Sequence, residues 1–265
     1  MTRERQNRPS RTDVPTAVNV STVSDTTAAP TAPTTPDATA VVLAGGESTR
    51  FGHGHKALAT LDGESLIRRV VGTLRTVTGR PPIVAVRTAD QRERLAAALP
   101  AAWDVRFVRD AERLSGPLAG VSAAASAAET PWLFVAGCDM PLLEPHAVAA
   151  LFERAASRNG DGDRLISADG DRPASTGGDR SVPPAIVPVS ERGHEPLHAL
   201  YRRSAVRDNV SELAPDDGLG ALLDRLDGVE YVGFDALPAS VGRSVTNVNT
   251  RTELARVAAG CEVRR

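Results

Sequence analysis

The sequence predicts an α/β domain built on a doubly wound, mostly parallel Rossmann-like sheet. Three observations carry that expectation. Short apolar runs alternate with segments whose apolar residues recur at helical spacing, in the order βαβαβαβα. A glycine-rich loop follows the first run directly, where sheets of this kind bind their ligands. The 265 residues, 41% hydrophobic and 24% charged, allow one to two domains and a sizeable core.

Each element has its own justification. Ala40 to Ala44 is an apolar run that reads as a strand buried on both faces. From Glu64 to Val77, the residues Leu66, Ile67, Val70, Val71 and Leu74 fall on one helical face. Pro82 to Val86 is a second strand, Ala89 to Leu99 a helix, and Val105 to Val108 a third strand. Gly116 to Ala128 is a helix of small residues, and Trp132 to Ala136 a fourth strand. Pro145 suits a first helical position and opens a helix to about Ser157. A polar stretch from Asp169 to Ser181 reads as an exposed loop after Leu165 and Ile166. Ala185 to Val189 is a further strand. Helices are expected over Leu197 to Arg207, Leu219 to Leu226 and Thr250 to Ala259, with an edge strand at Tyr231 to Phe234.

Residues 1–38 are rich in Thr, Ala, Pro, Ser and Arg, with Pro30, Pro33 and Pro36 at three-residue intervals. Too little apolar surface is present to offset ordering, so a disordered tail is expected there and a folded domain over 39–262.

Composition excludes several classes of function. The formal net charge is −2, which gives no general attraction to polyanions, so neither nucleic acid nor a membrane surface is expected as a partner. Cys138 and Cys261 form no CxxC, which disfavours a disulfide scaffold or thiolate zinc site and fits a reducing, cytoplasmic setting. No apolar run reaches the 18 or so residues of a membrane span.

One count points to chemistry. The 31 basic residues comprise 30 arginines and a single lysine, Lys56. An ammonium is a compact point charge, whereas guanidinium is a broad planar fork. Lys56 closes the loop Ala44-Gly45-Gly46-Glu47-Ser48-Thr49-Arg50 to Lys56, directly after the first strand. Glycines there expose peptide N–H groups and admit phosphate oxygens, and Arg50 adds charge. The loop is neither a Walker A sequence nor a GxGxxG fingerprint.

Three other places stand at strand ends. Asp139, in Cys138-Asp139-Met140-Pro141, follows the fourth strand and suits either a turn cap or a divalent-ion ligand beside phosphates. Cys138 reads as a small buried hydrophobe. Asp110 closes the third strand before Ser115 to Gly120, a turn onto a helix N-terminus. Asn249 or Thr250 suits the N-cap of the last helix. His53 and His55 lack a third ligand at useful spacing, so they do not read as a metal site.

These residues resemble a known family. Leu43 to Arg50, with Gly52 and Lys56, is similar to the LAGGxSxR signature of nucleotidyltransferases that move a nucleoside monophosphate onto an acceptor phosphate. GPLAG (Gly116 to Gly120), CDMP (Cys138 to Pro141), PLHALYRR (Pro196 to Arg203) and NVNT (Asn247 to Thr250) follow in order. Together they resemble the molybdenum cofactor guanylyltransferase family over residues 39–258.

The resemblance implies a sheet of the nucleotidyltransferase type and the transfer of GMP from GTP to the terminal phosphate of molybdopterin cofactor. It implies that Leu43, Ala44, Gly45, Gly46 and Asp110 contact the nucleotide, that Lys56 contacts its phosphates, and that Asp139 holds Mg²⁺. Lys56, Arg50 and Asp139 would then be the catalytic set. Cofactor delivery proteins or target molybdoenzymes are implied as further partners. The chain departs from the family at the end of the second strand, where an Asn often meets the base and Val86 followed by Arg87 stands here. Phe51 replaces a common Met, and His55 a common Asp. A cytidylyl sibling or a non-catalytic nucleotide-binding protein is the competing reading. Gly45-Gly46 leans to guanine, and the presence of both Lys56 and Asp139 leans to catalysis.

Overall fold

Strand β1 (Ala38–Leu43) shows why this chain forms a two-faced sheet. Its side chains alternate: Val42 enters the core on one face and Val41 the core on the other, both fully buried. The computed structural model of the protein describes residues 37–48, 51, 55–163 and 182–260, all within one compact unit. Of the tail expected over 1–38, residues 1–36 lie outside this set, as do Arg50, His53, the 169–181 loop and Cys261; Ala38 already opens β1.

After β1 come a short 3-10 turn at Lys56–Leu58 and a small hairpin of β2 (Thr60–Leu61) and β3 (Glu64–Ser65), which the sequence reading did not anticipate. Then follow α1 (Leu66–Thr78), β4 (Ile83–Val86), α2 (Ala89–Ala97), β5 (Arg106–Arg109), α3 (Gly116–Ala127), β6 (Trp132–Gly137) and α4 (Pro145–Asp163). The second half holds β7 (Ala185–Ser190), β8 (Gly193–His194), β9 (His198–Arg202), α5 (Arg203–Asn209), α6 (Leu219–Arg225), β10 (Glu230–Gly233), α7 (Val241–Ser244) and α8 (Arg251–Ala258).

The strand order is β10-β7-β9-β6-β1-β4-β5, with β8 paired to β7. β6, β1, β4 and β5 run parallel, and β10 is a parallel edge on β7, as expected for an edge strand. β9 runs antiparallel between β6 and β7. One core packs α1, α2 and α4 on the sheet through Ile67, Leu74, Leu95, Leu151 and Phe152. The other packs α3, α5 and α6 through Leu118, Val121, Val206 and Leu222. No helix among the described residues is long and apolar enough to cross a membrane.

The helix expected over Leu197 to Arg207 is a correction. Its first half is strand β9, and only Arg203–Asn209 is helical. His198, Ala199, Leu200 and Tyr201 are all fully buried, alternating between the two cores. So short a buried run carries no period that separates strand from helix.

His198 is the costliest residue in that strand. Its ring meets Phe134 edge-on at 5.3 Å, and neither ring nitrogen has a hydrogen-bond partner among the described residues. Burial drives its pKa from 6.5 down to about 3. Below pH 6.5 the unfolded chain therefore takes up a proton that the folded chain refuses. Stability is at full strength above 6.5 and falls as the pH drops toward 3, by up to about 1.4 kcal/mol per pH unit. His198→Leu should remove this slope, because no titrating group remains at the position. Urea unfolding at pH 7 and pH 5 is expected to show a larger acid loss in the wild type than in the variant. Equal losses would mean that other groups set the acid sensitivity.

Candidate nucleotide-transfer site

The carboxyl ends of β5, β4, β1 and β6 lie side by side, and the loops leaving them enclose a cavity of about 580 Å³. Sheet hydrogen bonding continues past the strand ends and fixes each wall. Ala44 donates to the Ala85 carbonyl at 2.9 Å, Asp110 to that of Val86 at 2.8 Å, and Cys138 to that of Leu43 at 3.1 Å. Leu43, Ala44, Gly45 and Gly46, which the resemblance assigns to nucleotide contact, line the cavity, and so do Lys56, Asp110 and Asp139. Arg50, also predicted, is outside the described residues.

Lys56 is the centre of the polar constellation. Its Nζ donates to Asp139 Oδ2 at 2.7 Å and to Asn249 Oδ1 at 3.0 Å, while its backbone N–H donates to Ser48 Oγ at 3.0 Å. The Lys56 and Asp139 side chains are only 17% and 15% exposed, so the ammonium is held in place rather than waving in water. Of the two residues that suit the N-cap, Thr250 fills it, in a reciprocal box with Glu253, which leaves the Asn249 amide to face the lysine. The backbone also contributes: Val248 N–H donates to the Asp139 carbonyl at 2.8 Å.

A third apolar cluster holds this corner together. Phe51 packs with Leu61, Leu66, Val248 and Val257, and Arg251 donates to the Phe51 carbonyl at 3.1 Å. The cluster joins the loop after β1 to α8 and so brings Asn249 to Lys56.

Two glycines fit the shape of the wall. A Cβ on Gly45 would stand 2.2 Å from Asp110 Oδ2, and one on Gly137 would stand 2.3 Å from Asp139 Oδ1. Each therefore leaves room for a carboxylate to fold back over the sheet end. Burial raises the Asp110 pKa and the charge of Arg87 opposes that shift. Burial, with the Asp139 charge beside it, pushes the Cys138 thiol up to about 12, so it stays protonated and is no nucleophile at neutral pH. This agrees with its reading as a buried hydrophobe. His55 lines the cavity, and burial lowers its pKa, with Arg94 acting in the same direction.

No cluster of three or more His, Cys, Asp or Glu side chains that could cage a metal occurs among the described residues. Asp139 is the carboxylate beside Lys56 in the cavity wall. Mg²⁺ characteristically keeps several waters and binds through one or two carboxylates plus substrate phosphates, so this donor set fits such an ion.

The MobA-like NTP transferase domain model matches residues 40–229. A probable molybdenum cofactor guanylyltransferase of Natronomonas pharaonis is 33% identical over 220 residues, covering 82% of this chain and 95% of that protein. A probable molybdenum cofactor guanylyltransferase of Thermococcus gammatolerans is 32% identical over 222 residues, covering 83% and 98%. Among solved structures, molybdopterin-guanine dinucleotide biosynthesis protein A from Archaeoglobus fulgidus superposes with a TM-score of 0.60 at 23% identity, covering 84% of this chain and 98% of that one, which establishes the shared fold.

Gly45→Ala and Gly46→Ala separate two roles of the loop. At Gly45 the added methyl must displace Asp110, while at Gly46 it meets open space within 4 Å. Neither glycine has positive φ, so neither change strains the backbone. Both variants should melt close to wild type. With a nucleotide seated on this loop, both should bind GTP more weakly in calorimetry, Gly45→Ala because Asp110 has moved and Gly46→Ala because its methyl fills the open space beside the loop. Unchanged affinity in both would place the nucleotide elsewhere.

Proposed function

Because the chain belongs to the MobA-like NTP transferase family, whose domain covers most of its length, we propose that it transfers GMP from GTP to the terminal phosphate of molybdopterin cofactor, forming the guanine dinucleotide cofactor and releasing pyrophosphate. The observation that supports this reading best is the single lysine, fixed by Asp139 and Asn249 beside a cavity large enough for a nucleoside triphosphate.

An oxygen of the acceptor phosphate attacks the α-phosphorus of GTP in line. The new O–P bond forms as the bond to the bridging oxygen of the β-phosphate breaks, and the electron pair leaves with pyrophosphate. The acceptor is already ionised at neutral pH, so no side-chain nucleophile is required, in keeping with a Cys138 thiol that stays protonated. The difficulty is bringing two anions together, and the chain's own contribution is placement and neutralisation.

Lys56 supplies a fixed point charge for the phosphates. Asp139 and Asn249 set where that charge sits, and Gly45 and Gly46 let the nucleotide approach the peptide groups of the loop. Asp110, partly buried at the cavity wall, contacts the nucleotide in this reading. Arg50, on the same loop, adds a second cation. Asp139 would hold a divalent ion, Mg²⁺ in this reading, and that ion would supply further neutralisation of phosphate charge. The setting is cytoplasmic, and delivery proteins or target molybdoenzymes receive the product.

Pyrophosphate release should require GTP and molybdopterin together, and CTP should replace GTP poorly. Release from CTP alone would move the chain to a cytidylyl sibling function. Asp139→Asn should lower turnover at least on the order of 100-fold with the fold retained, since it removes both an anionic ligand and the partner of Lys56.

Lys56→Arg keeps the charge but replaces a point donor that satisfies Asp139 and Asn249 at once with a wider fork. A displacement near 1 Å costs on the order of 100-fold in rate. A comparable loss in kcat, with the melting temperature near wild type, is therefore expected. A fully active arginine variant would reduce Lys56 to a source of diffuse positive potential.

A further inference from the structure

The loop between β5 and α3 forms one wall of the cavity. Every residue from Arg109 to Pro117 lines the cavity except Arg113, whose side chain is engaged behind the wall. Its guanidinium spans two backbone carbonyls: Nη1 donates to Leu213 at 2.8 Å and Nη2 donates to Val210. Both carbonyls belong to the segment after α5, at the 3-10 turn Val210–Glu212 and the residue that follows it. A planar fork can satisfy two such acceptors at once, whereas an ammonium acts as a single point.

The same segment meets the loop in two further ways. The Pro215 carbonyl accepts both the backbone N–H of Ser115 at 2.8 Å and the Ser115 hydroxyl at 2.9 Å. A closed turn presents that carbonyl: Asp217 Oδ2 accepts the Ala214 N–H at 2.7 Å, and the Asp217 N–H donates to the Ala214 carbonyl at 3.1 Å. Leu114 and Leu213 are buried in the same apolar core. The loop's own ties are few. Ala111 donates to Ala119 and Leu114 to Ala111, each at 3.1 Å, and Gly116 takes a φ of +61° where the chain turns into α3. The position of Leu114 and Ser115 is thus set from outside the cavity. Lys56, Asp139 and Asn249 hold one another by separate contacts on the loops after β1 and β6 and before α8.

We infer that Arg113 is a positioning residue for the nucleotide: it fixes the β5–α3 wall from behind, so that the segment after α5 sets the shape of the cavity. This rests on the proposed seating of GTP there and goes beyond it by naming a side chain outside the cavity that shapes it.

Amide hydrogen exchange without nucleotide, and steady-state kinetics with GTP and the acceptor, test the assignment in the wild type, Arg113→Ala, Arg113→Lys and Asp217→Ala. In Arg113→Ala the Leu114 and Ser115 amides should exchange on the order of ten-fold faster, while the Asp110 amide, paired to Val86, keeps its rate. KM for GTP should rise by on the order of ten-fold with kcat near wild type, because the wall is loosened and the charges at Lys56 are not moved. Arg113→Lys, which reaches one carbonyl at a time, should fall between the wild type and Arg113→Ala. Asp217→Ala, on the other side of the contact, should move both readouts in the same direction. Melting temperatures should stay near wild type. If Arg113→Ala leaves the loop's exchange and KM unchanged, or speeds exchange across the whole domain, Arg113 is a surface contact or a general stabiliser and the inference falls alone. If the wild type releases no pyrophosphate from GTP with the acceptor, the assigned reaction falls, and the exchange rates alone decide whether Arg113 holds the wall.

Discussion

The contacts of Lys56 with Asp139 and Asn249 are the constraint around which the site is arranged. They join three segments separated by 83 and 193 residues in sequence. Nothing local could bring these groups together. The parallel pairing of β1 with β6 sets Asp139 beside the first loop, because Cys138 continues the ladder onto Leu43. The Phe51 cluster and the Thr250 capping box then bring Asn249 in from the far end of the chain. The sheet supplies a rigid base, and the loops at its carboxyl edge carry the chemistry, a division of labour common to open α/β sheets.

Asp139 and Asp110, both lining the cavity, are treated differently. Asp139 is paired with the Lys56 ammonium at 2.7 Å. Asp110 is packed against Gly45 and the N-terminal part of α3, where a Cβ on Gly120 would stand 3.2 Å from its Oδ1. Burial works against its ionisation and Arg87 works for it. Any ligand that draws Arg87 away also changes the environment of Asp110, so the two walls of the cavity are electrostatically linked.

Much of this architecture is legible in the sequence because the first half of the domain keeps a clean strand–helix alternation. β1, β4, β5 and β6 and the helices between them lie where apolar runs and helical spacing place them. Lys56 is legible from composition alone, as the one cation that is not arginine. What escapes is non-local. β9 is read as helix because His198 to Tyr201 is buried on both sides and so has no polar face to reveal its period. The Asn249 contact escapes because Asn before a helix is a common cap, and only the third dimension shows that Thr250 already fills that role. The NVNT motif was the available signal, since it offers two amides where one cap suffices.

The distance along the chain between Lys56 and Asn249 also bears on how the site is completed. The buried residues of both main cores end by Val232 in β10, with Leu237 and Val245 only partly buried against one of them. The cluster that seats Asn249 draws on Val248 and Val257. A chain can thus form its sheet and both helical layers while Lys56 still lacks one of its two side-chain anchors, and that corner is completed only when α8 docks on the loop after β1.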